Sequence, residues 1–290
     1  MTDESKPLFD LATLPTLQAP GKAAKPLSAI KRRLIESSVA IQDDDPESIL
    51  YQHTVFCQTG LPYRDPGQDV RVWERRQGAV SLRVEAGAAQ APDSDDWIEL
   101  GLPWGAKPRL ILAYLNGEAL RTGSPLIEVE GSLTAFVKRL RLDPKGRNMR
   151  LIKDQLARLS GSTIRLGIRS EGRAVTIKRD IVSAFDLWFP KDERQRVLWP
   201  STIQLSLDYF TSLQNHAVPL DERAITALSH SAMGLDIYAW LAQRLHRVDP
   251  HKPQFVPWTA VKAQFGWHYN QMFNFNGSIQ DTCKIGPQGQ

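Results

Sequence analysis

Thirteen basic residues fall between Ser132 and Arg179: Lys138, Arg139, Arg141, Lys145, Arg147, Arg150, Lys153, Arg158, Arg165, Arg169, Arg173, Lys178 and Arg179. Only Asp143, Asp154 and Glu171 oppose them, so the segment carries a formal +10 in a chain whose net charge is +4. A solvated helix face ordinarily mixes signs to form i,i+4 pairs. A face of one sign repels itself unless a polyanion neutralises it. The chemistry open to these side chains is recognition: the planar guanidinium fork matches phosphate and the O6/N7 edge of guanine alike.

Catalytic patterns are missing by comparison. The sequence holds no G-x-x-x-x-G-K-[ST] phosphate loop, no G-x-S-x-G elbow, and no H-x-H or H-E-x-x-H pair among His53, His216, His230, His246, His251 and His268. That argues against an NTPase, a serine hydrolase, a zinc hydrolase and a metal-dependent nicking endonuclease. Asp43-Asp44-Asp45 and Asp93-Ser94-Asp95-Asp96 read as solvated loops, and Cys57 beside Phe56 as a small hydrophobe. No metal or cofactor is expected.

The elements that must position the cations follow from periodicity. Ile111, Leu115 and Ala119 recur at helical spacing before Gly123, and Leu126 to Glu130 reads as a short strand. Ser132 is a good N-cap for a helix with Leu133, Phe136, Val137 and Leu140 on one face. Asp143-Pro144-Lys145-Gly146 is a turn, and Asn148 is expected to cap a further helix ending at Gly161. At 100° per residue, Arg147, Arg150, Lys153, Asp154, Ala157 and Arg158 share a solvent-facing arc of that helix, while Met149, Ile152, Leu156 and Leu159 lie opposite. Ile164, Leu166 and Ile168 then alternate with Arg165, Gly167 and Arg169, and a strand through Val175 and Ile177 follows a turn at Ser170-Glu171-Gly172.

That order is the order of a winged helix-turn-helix. It puts Arg147, Arg150, Lys153 and Arg158 on the recognition helix, Lys138, Arg139, Arg141 and Lys145 on phosphates near the turn, and Arg169 and Arg173 on the wing. The expected fold class is α+β, with tandem winged helix-turn-helix domains of which the second is incomplete.

The rest of the 290 residues sets the frame. With 42% hydrophobic and 23% charged residues the chain can build a packed core. It has no apolar run long enough for a membrane span and no apolar leader, and two distant cysteines point to a reducing, cytoplasmic setting. Residues 1–25 read as a disordered arm. From Ser28 a short helix with Ile30, Leu34 and Ile35 on one face ends at Asp43–Pro46. Residues 49–100 read as β-rich, with a hairpin at Gln77-Gly78 and a loop over 87–96. The first winged-helix domain, with its preceding hairpin, spans 26–184. A connecting segment spans 185–219, with strands expected around 196–199 and 203–207. A second winged-helix-like domain spans 220–290, with Ile237, Leu241 and Leu245 on one stripe and a short helix carrying Val261 and Phe265. Trp188, Trp199, Trp240, Trp258 and Trp267 are expected in core packing rather than base stacking.

The stretch from Leu102 to Leu159, the phrase Gly234-Leu-Asp-Ile-Tyr-Ala-Trp-Leu-Ala-Gln-Arg-Leu245 and the phrase Val256-Pro-Trp-Thr-Ala-Val-Lys-Ala-Gln-Phe-Gly266 resemble the plasmid-encoded RepA replication initiators of broad-host-range bacterial plasmids. The resemblance runs roughly from Ile49 to Phe275. It implies a protein that binds repeated sequences in double-stranded plasmid origin DNA, helps to open the duplex and recruits a host helicase or its loader, without catalysis of its own. It leaves a homodimer open and implies no membrane partner. Family members continue past Phe273-Asn274-Phe275 with a basic helix and a closing hairpin. Here the tail from Asn276 to Gln290 is poor in arginine, which predicts a truncated second unit without its wing. The residues are equally compatible with a transcriptional repressor that has no replication role, or with an interaction module dimerising through 49–100.

Overall fold

The computed structural model describes residues 29–90, 95–129, 131–170, 173–184, 202–249, 251–252 and 254–266. The first helix, α1 (Ala29–Asp43), buries Leu34 and leaves Ile35 exposed. Strand β1 (Ile49–His53) runs straight into the short helix α2 (Thr54–Gln58), capped by the His53 ring accepting from the Val55 amide. The alternating stretch becomes β2 (Val72–Gln77) and β3 (Val80–Glu85), joined through Gly78, whose φ of +54° suits glycine. Within the expected loop over 87–96 the structure forms β4 (Ala88–Gln90), which pairs with β5 (Trp97–Glu99).

Helix α3 (Ala106–Thr122) is buried on nearly every side from Pro108 to Gly117, which fits a central helix, and it stops at Gly123 in the left-handed region. There follow β6 (Leu126–Glu128), α4 (Leu133–Arg139), α5 (Gly146–Gly161), β7 (Thr163–Ser170), β8 (Arg173–Asp180) and β9 (Val182–Ala184). Ser132 caps α4, its Oγ accepting from the Ala135 amide at 3.2 Å. Helix α5 begins two residues before Asn148, with Lys145 at the N-cap; Asn148 donates to the Asp143 carbonyl from inside the helix. The helix, strand, helix, helix, strand, strand order expected over 108–178 is present.

The chain continues with β10 (Thr202–Leu205), α6 (Leu207–His216), β11 (Ala217–Asp221), α7 (Glu222–Leu228), α8 (Ala232–Leu245) and α9 (Trp258–Phe265). These elements correct the reading of 185–219 as a connection. Ile203, Leu205, Tyr209, Phe210 and Leu213 join the core formed by α3, α4 and α5, and β10 lies between β6 and β9 in an antiparallel sheet. Strand β11 pairs with β1 from Ile49 opposite Asp221 to His53 opposite Ala217. The second half packs on the first without a break: Leu110 and Ala113 of α3 share a core with Ile225, Leu228, Leu235 and Tyr238. Trp240 is buried edge-on against Phe265. The strand expected at 196–199, the arm over 1–25, Trp188, Trp199, Trp267 and the shortened tail lie outside the described residues.

Two buried polar arrangements fix the halves together. Arg109 of α3 forms an ion pair with Asp236 of α8, with Nε to Oδ1 at 2.6 Å and Nη2 to Oδ2 at 2.7 Å, and its remaining donors reach the Leu61 and Gly105 carbonyls. His53 Nε2 lies 3.0 Å from Ser212 Oγ, with His216 and Tyr209 alongside. Burial first, and the neighbouring His216 second, push the His53 pKa down to about 3, so the ring stays neutral. Cys57 is fully buried, and burial raises its thiol out of the reactive range. The fold is α+β, and among the described residues no helix is long and apolar enough to cross a membrane.

Candidate nucleic-acid interface

The α4–α5 region and the β7–β8 hairpin carry the candidate cations, and the structure divides them into two sets. Lys138 on α4, Arg147 and Arg150 on α5 and Arg169 on β7 are exposed, and none has a carboxylate partner among the described residues. Lys153 is half-buried on α5. Lys145 is exposed and lies 2.6 Å from Asp143, an equally open pair of the kind that contributes little stability and is easily exchanged. Arg173 begins β8 opposite Ser170, and the two residues between them lie outside the described residues.

The second set is engaged within the fold. Arg139 reaches Glu222 Oε1 of α7 at 3.3 Å and Glu118 Oε1 of α3 at 3.4 Å, with its guanidinium 5.4 Å over the Tyr114 ring. Arg141 donates to the same Glu222 oxygen at 3.1 Å. It sits at φ +56°, a left-handed conformation uncommon outside glycine. Burial alone would raise the Glu222 carboxyl; the hydrogen bonds from Arg141 and Ser48 and the charges of Arg141 and Arg139 hold it below the usual carboxylate range.

Arg158 corrects the expectation directly. It is 9% exposed rather than solvent-facing, and Ala157 beside it is buried too. Its Nε donates to Asp154 at 3.0 Å, and its Nη1 reaches Asp65 at 3.4 Å and the Leu102 carbonyl at 3.2 Å. The reason is a second packing partner. The segment before α3 covers this flank of α5, with the Trp104 amide donating to Gln155 at 2.8 Å and Gly101 leaving room where a Cβ would strike the guanidinium. A helical wheel drawn for one buried face cannot show a second one.

The N-terminal end of α5 is open to an anion. Its first turn holds no acidic residue, and its N-cap, Lys145, makes no side-chain capping bond. The positive end of the helix dipole thus coincides with Lys145 and Arg147, a surrounding that favours anions. Lys107, in the first turn of α3, completes the cluster and was not legible beforehand. Burial and the nearby Arg147 charge both lower its pKa. Among the described residues this like-charged pair has no carboxylate, and its repulsion costs energy that a bound polyanion would recover.

A family model described as plasmid encoded RepA protein matches residues 102–259, more than half of the chain. The chain belongs to that family. Membership places it in plasmid replication initiation. The comparison with curated proteins gives no match. Among solved structures the chain is similar to a crystal structure of selenomethionine derivatives of domains 2 and 3 of RctB, at 8% identity and a TM-score of 0.48, covering 79% of this chain and 82% of that one. That likeness is too distant to carry an argument. The family match spans α3 to α8, and so includes both the exposed cations of α4, α5 and β7 and the engaged Arg139, Arg141 and Arg158.

In this RepA-family chain, sequence reasoning also missed Glu222 and Arg76. Glu222 lies 81 residues beyond Arg141, and nothing local connects them. Arg76 lies in a hairpin whose place beside the β7–β8 pair only the tertiary structure reveals.

Proposed function

We propose that this RepA-family chain initiates plasmid replication by binding repeated sequences in the double-stranded origin, distorting the duplex and recruiting the host helicase or its loader, with no catalysis of its own. In this reading α3, β6, α4, α5, β7 and β8 act as a winged helix. Helix α5 enters the major groove from its N-terminal end, and the β7–β8 hairpin rides along the backbone. Arg147, Arg150 and Lys153 face the groove; Lys107, Lys138 and Lys145 take phosphates around the turn; Arg169 and Arg173 take phosphates at the wing. Arg139, Arg141 and Arg158 hold the motif in shape. The elements from α7 to α9 belong to a second DNA-binding unit, and the protein works in the cytoplasm.

The observation that carries the reading is that Lys138 on α4, Arg147 and Arg150 on α5 and Arg169 on β7 are exposed and without carboxylate partners among the described residues, in a chain of a plasmid replication family. The test is a footprint on the DNA flanking the gene. The wild-type chain protects direct repeats there, and Arg150→Glu with Lys153→Glu removes the protection. Full protection by the double variant overturns the assignment. A plasmid-establishment assay in cells then separates an initiator from a repressor, because a repressor alone sustains no replicon.

A further inference from the structure

Strands β2, β3, β7 and β8 form one antiparallel sheet in that order, and its two hairpins turn at the same end. Gln77 is opposite Val80, Val80 is opposite Ile168, and Ser170 is opposite Arg173, so the Gly78 turn sits beside the β7–β8 turn within two residues of register. A hydrogen bond of 2.8 Å from the Arg169 amide to the Ala79 carbonyl ties the two ends together.

The inner face of the sheet buries Val80, Leu82, Val84, Ile164 and Leu166. On the outer face the described charged side chains in the middle of the sheet are paired: Arg83 with Glu74 and with Glu85, and Arg165 with Glu85. The turn end of the same face is open. Its cross-strand row is Arg76, Ser81, Gly167 and Thr176, and Arg169 stands one step further on. Arg76 and Arg169 are exposed, and neither has an ion-pair partner among the described residues. Between them the surface is low. Gly167 has no side chain, and a Cβ there would collide with Ser81 Oγ. A strand glycine of this kind admits close approach of another backbone. Strand spacings place the two arginine Cα atoms about 12 Å apart, within one stretch of a duplex that carries a charge every ~1.7 Å along its axis.

We infer that the Val72–Glu85 hairpin is a second wing, with Arg76 binding a phosphate of the same DNA duplex beside the β7–β8 hairpin. This rests on the proposed DNA-binding reading and extends it to a strand pair outside the helix, strand, helix, helix, strand, strand unit. Charge complementarity and continuity with the Arg169 surface favour duplex DNA as the occupant. Trp73 holds the hairpin in place, its indole Nε1 donating to the Gly60 carbonyl at 3.1 Å.

The test measures binding of the full chain to a fluorescein-labelled 30-base-pair duplex of mixed sequence across a salt series. Losing one phosphate contact lowers the slope of log K against log salt by about 0.9, which is roughly an eightfold loss at 0.1 M salt. Arg76→Ala should show that loss with an unchanged melting temperature. Arg76→Gln, which keeps a polar, unbranched stem but no charge, should show the same slope and guards against a folding artefact. Arg150→Glu is run in parallel. If Arg150→Glu weakens binding while both Arg76 variants match the wild-type slope, the second wing is overturned and the DNA-binding reading stands. If neither position affects binding, both fall.

Discussion

The C-terminal end of α4 and the N-terminal half of α5 contain the same side-chain chemistry put to opposite uses. Arg139 and Arg141 are bound to Glu222 and Glu118, and Arg158, further along α5, to Asp154 and Asp65. Arg147 and Arg150, a turn or two away, face solvent with no carboxylate among the described residues. An arginine with a partly buried carboxylate partner contributes to the fold and gains little from exchanging that partner for phosphate. An exposed one contributes little to the fold and retains its full charge for a ligand. Charge density along a sequence therefore overstates the binding surface.

The comparison can be broken at either side. The largest effect is expected on binding: Arg147→Glu with Arg150→Glu should weaken duplex binding on the order of 10³-fold at 50 mM salt, about 4 kcal/mol. Urea denaturation should show stability unchanged within ~0.5 kcal/mol. A stability loss of several kcal/mol would mean that these cations also serve the fold. Arg158→Ala should reverse the pattern. It removes the guanidinium bonds to Asp154 Oδ1 and the Leu102 carbonyl, and stability should fall by about 2–3 kcal/mol. Binding by the folded fraction should stay within twofold, and a larger change in affinity would return Arg158 to the interface.

A pH titration separates core from surface without mutation. His53 titrates near 6.5 when unfolded and at about 3 when folded, so the fold favours the neutral ring. Stability attached to this group is fully present above about pH 6.5 and is lost as pH falls towards 3, at up to ~1.4 kcal/mol per pH unit. His53→Gln should flatten the slope attached to this residue; an unchanged acid slope in that variant would assign it to another group. The smallest effect is expected from Glu222→Gln, about 1 kcal/mol of stability from weakened bonds to Arg139 and Arg141. The salt slope of DNA binding should not move. A slope steeper by about one or two would show that releasing these arginines adds them to the phosphate contacts.

Much of the α3–β8 region was legible because its elements are amphipathic on one face and their punctuation is local. Ser132 caps α4, Gly123 ends α3, and Ile164 and Leu166 face inwards while Arg169 faces outwards, all as the pattern predicts. The failures share a cause. The local pattern over 185–219 does not announce helix α6 or the start of strand β11, because it holds few apolar residues in register. They are fixed by burial of Tyr209, Phe210 and Leu213 against α3 and by pairing with β1. Arg158 was misplaced because α5 has two covered flanks, and β4 and β5 are too short for their alternation to register.

The sequence by itself determined the secondary-structure order over 108–178, the inward faces of α4 and β7 and the concentration of positive charge, because each depends on neighbours a few residues away. The tertiary structure alone decided which arginines keep their charge available. That outcome depends on carboxylates such as Glu222 and Asp65, brought from far along the chain to within 3–4 Å. Coulomb attraction falls with distance in space and takes no account of distance in sequence.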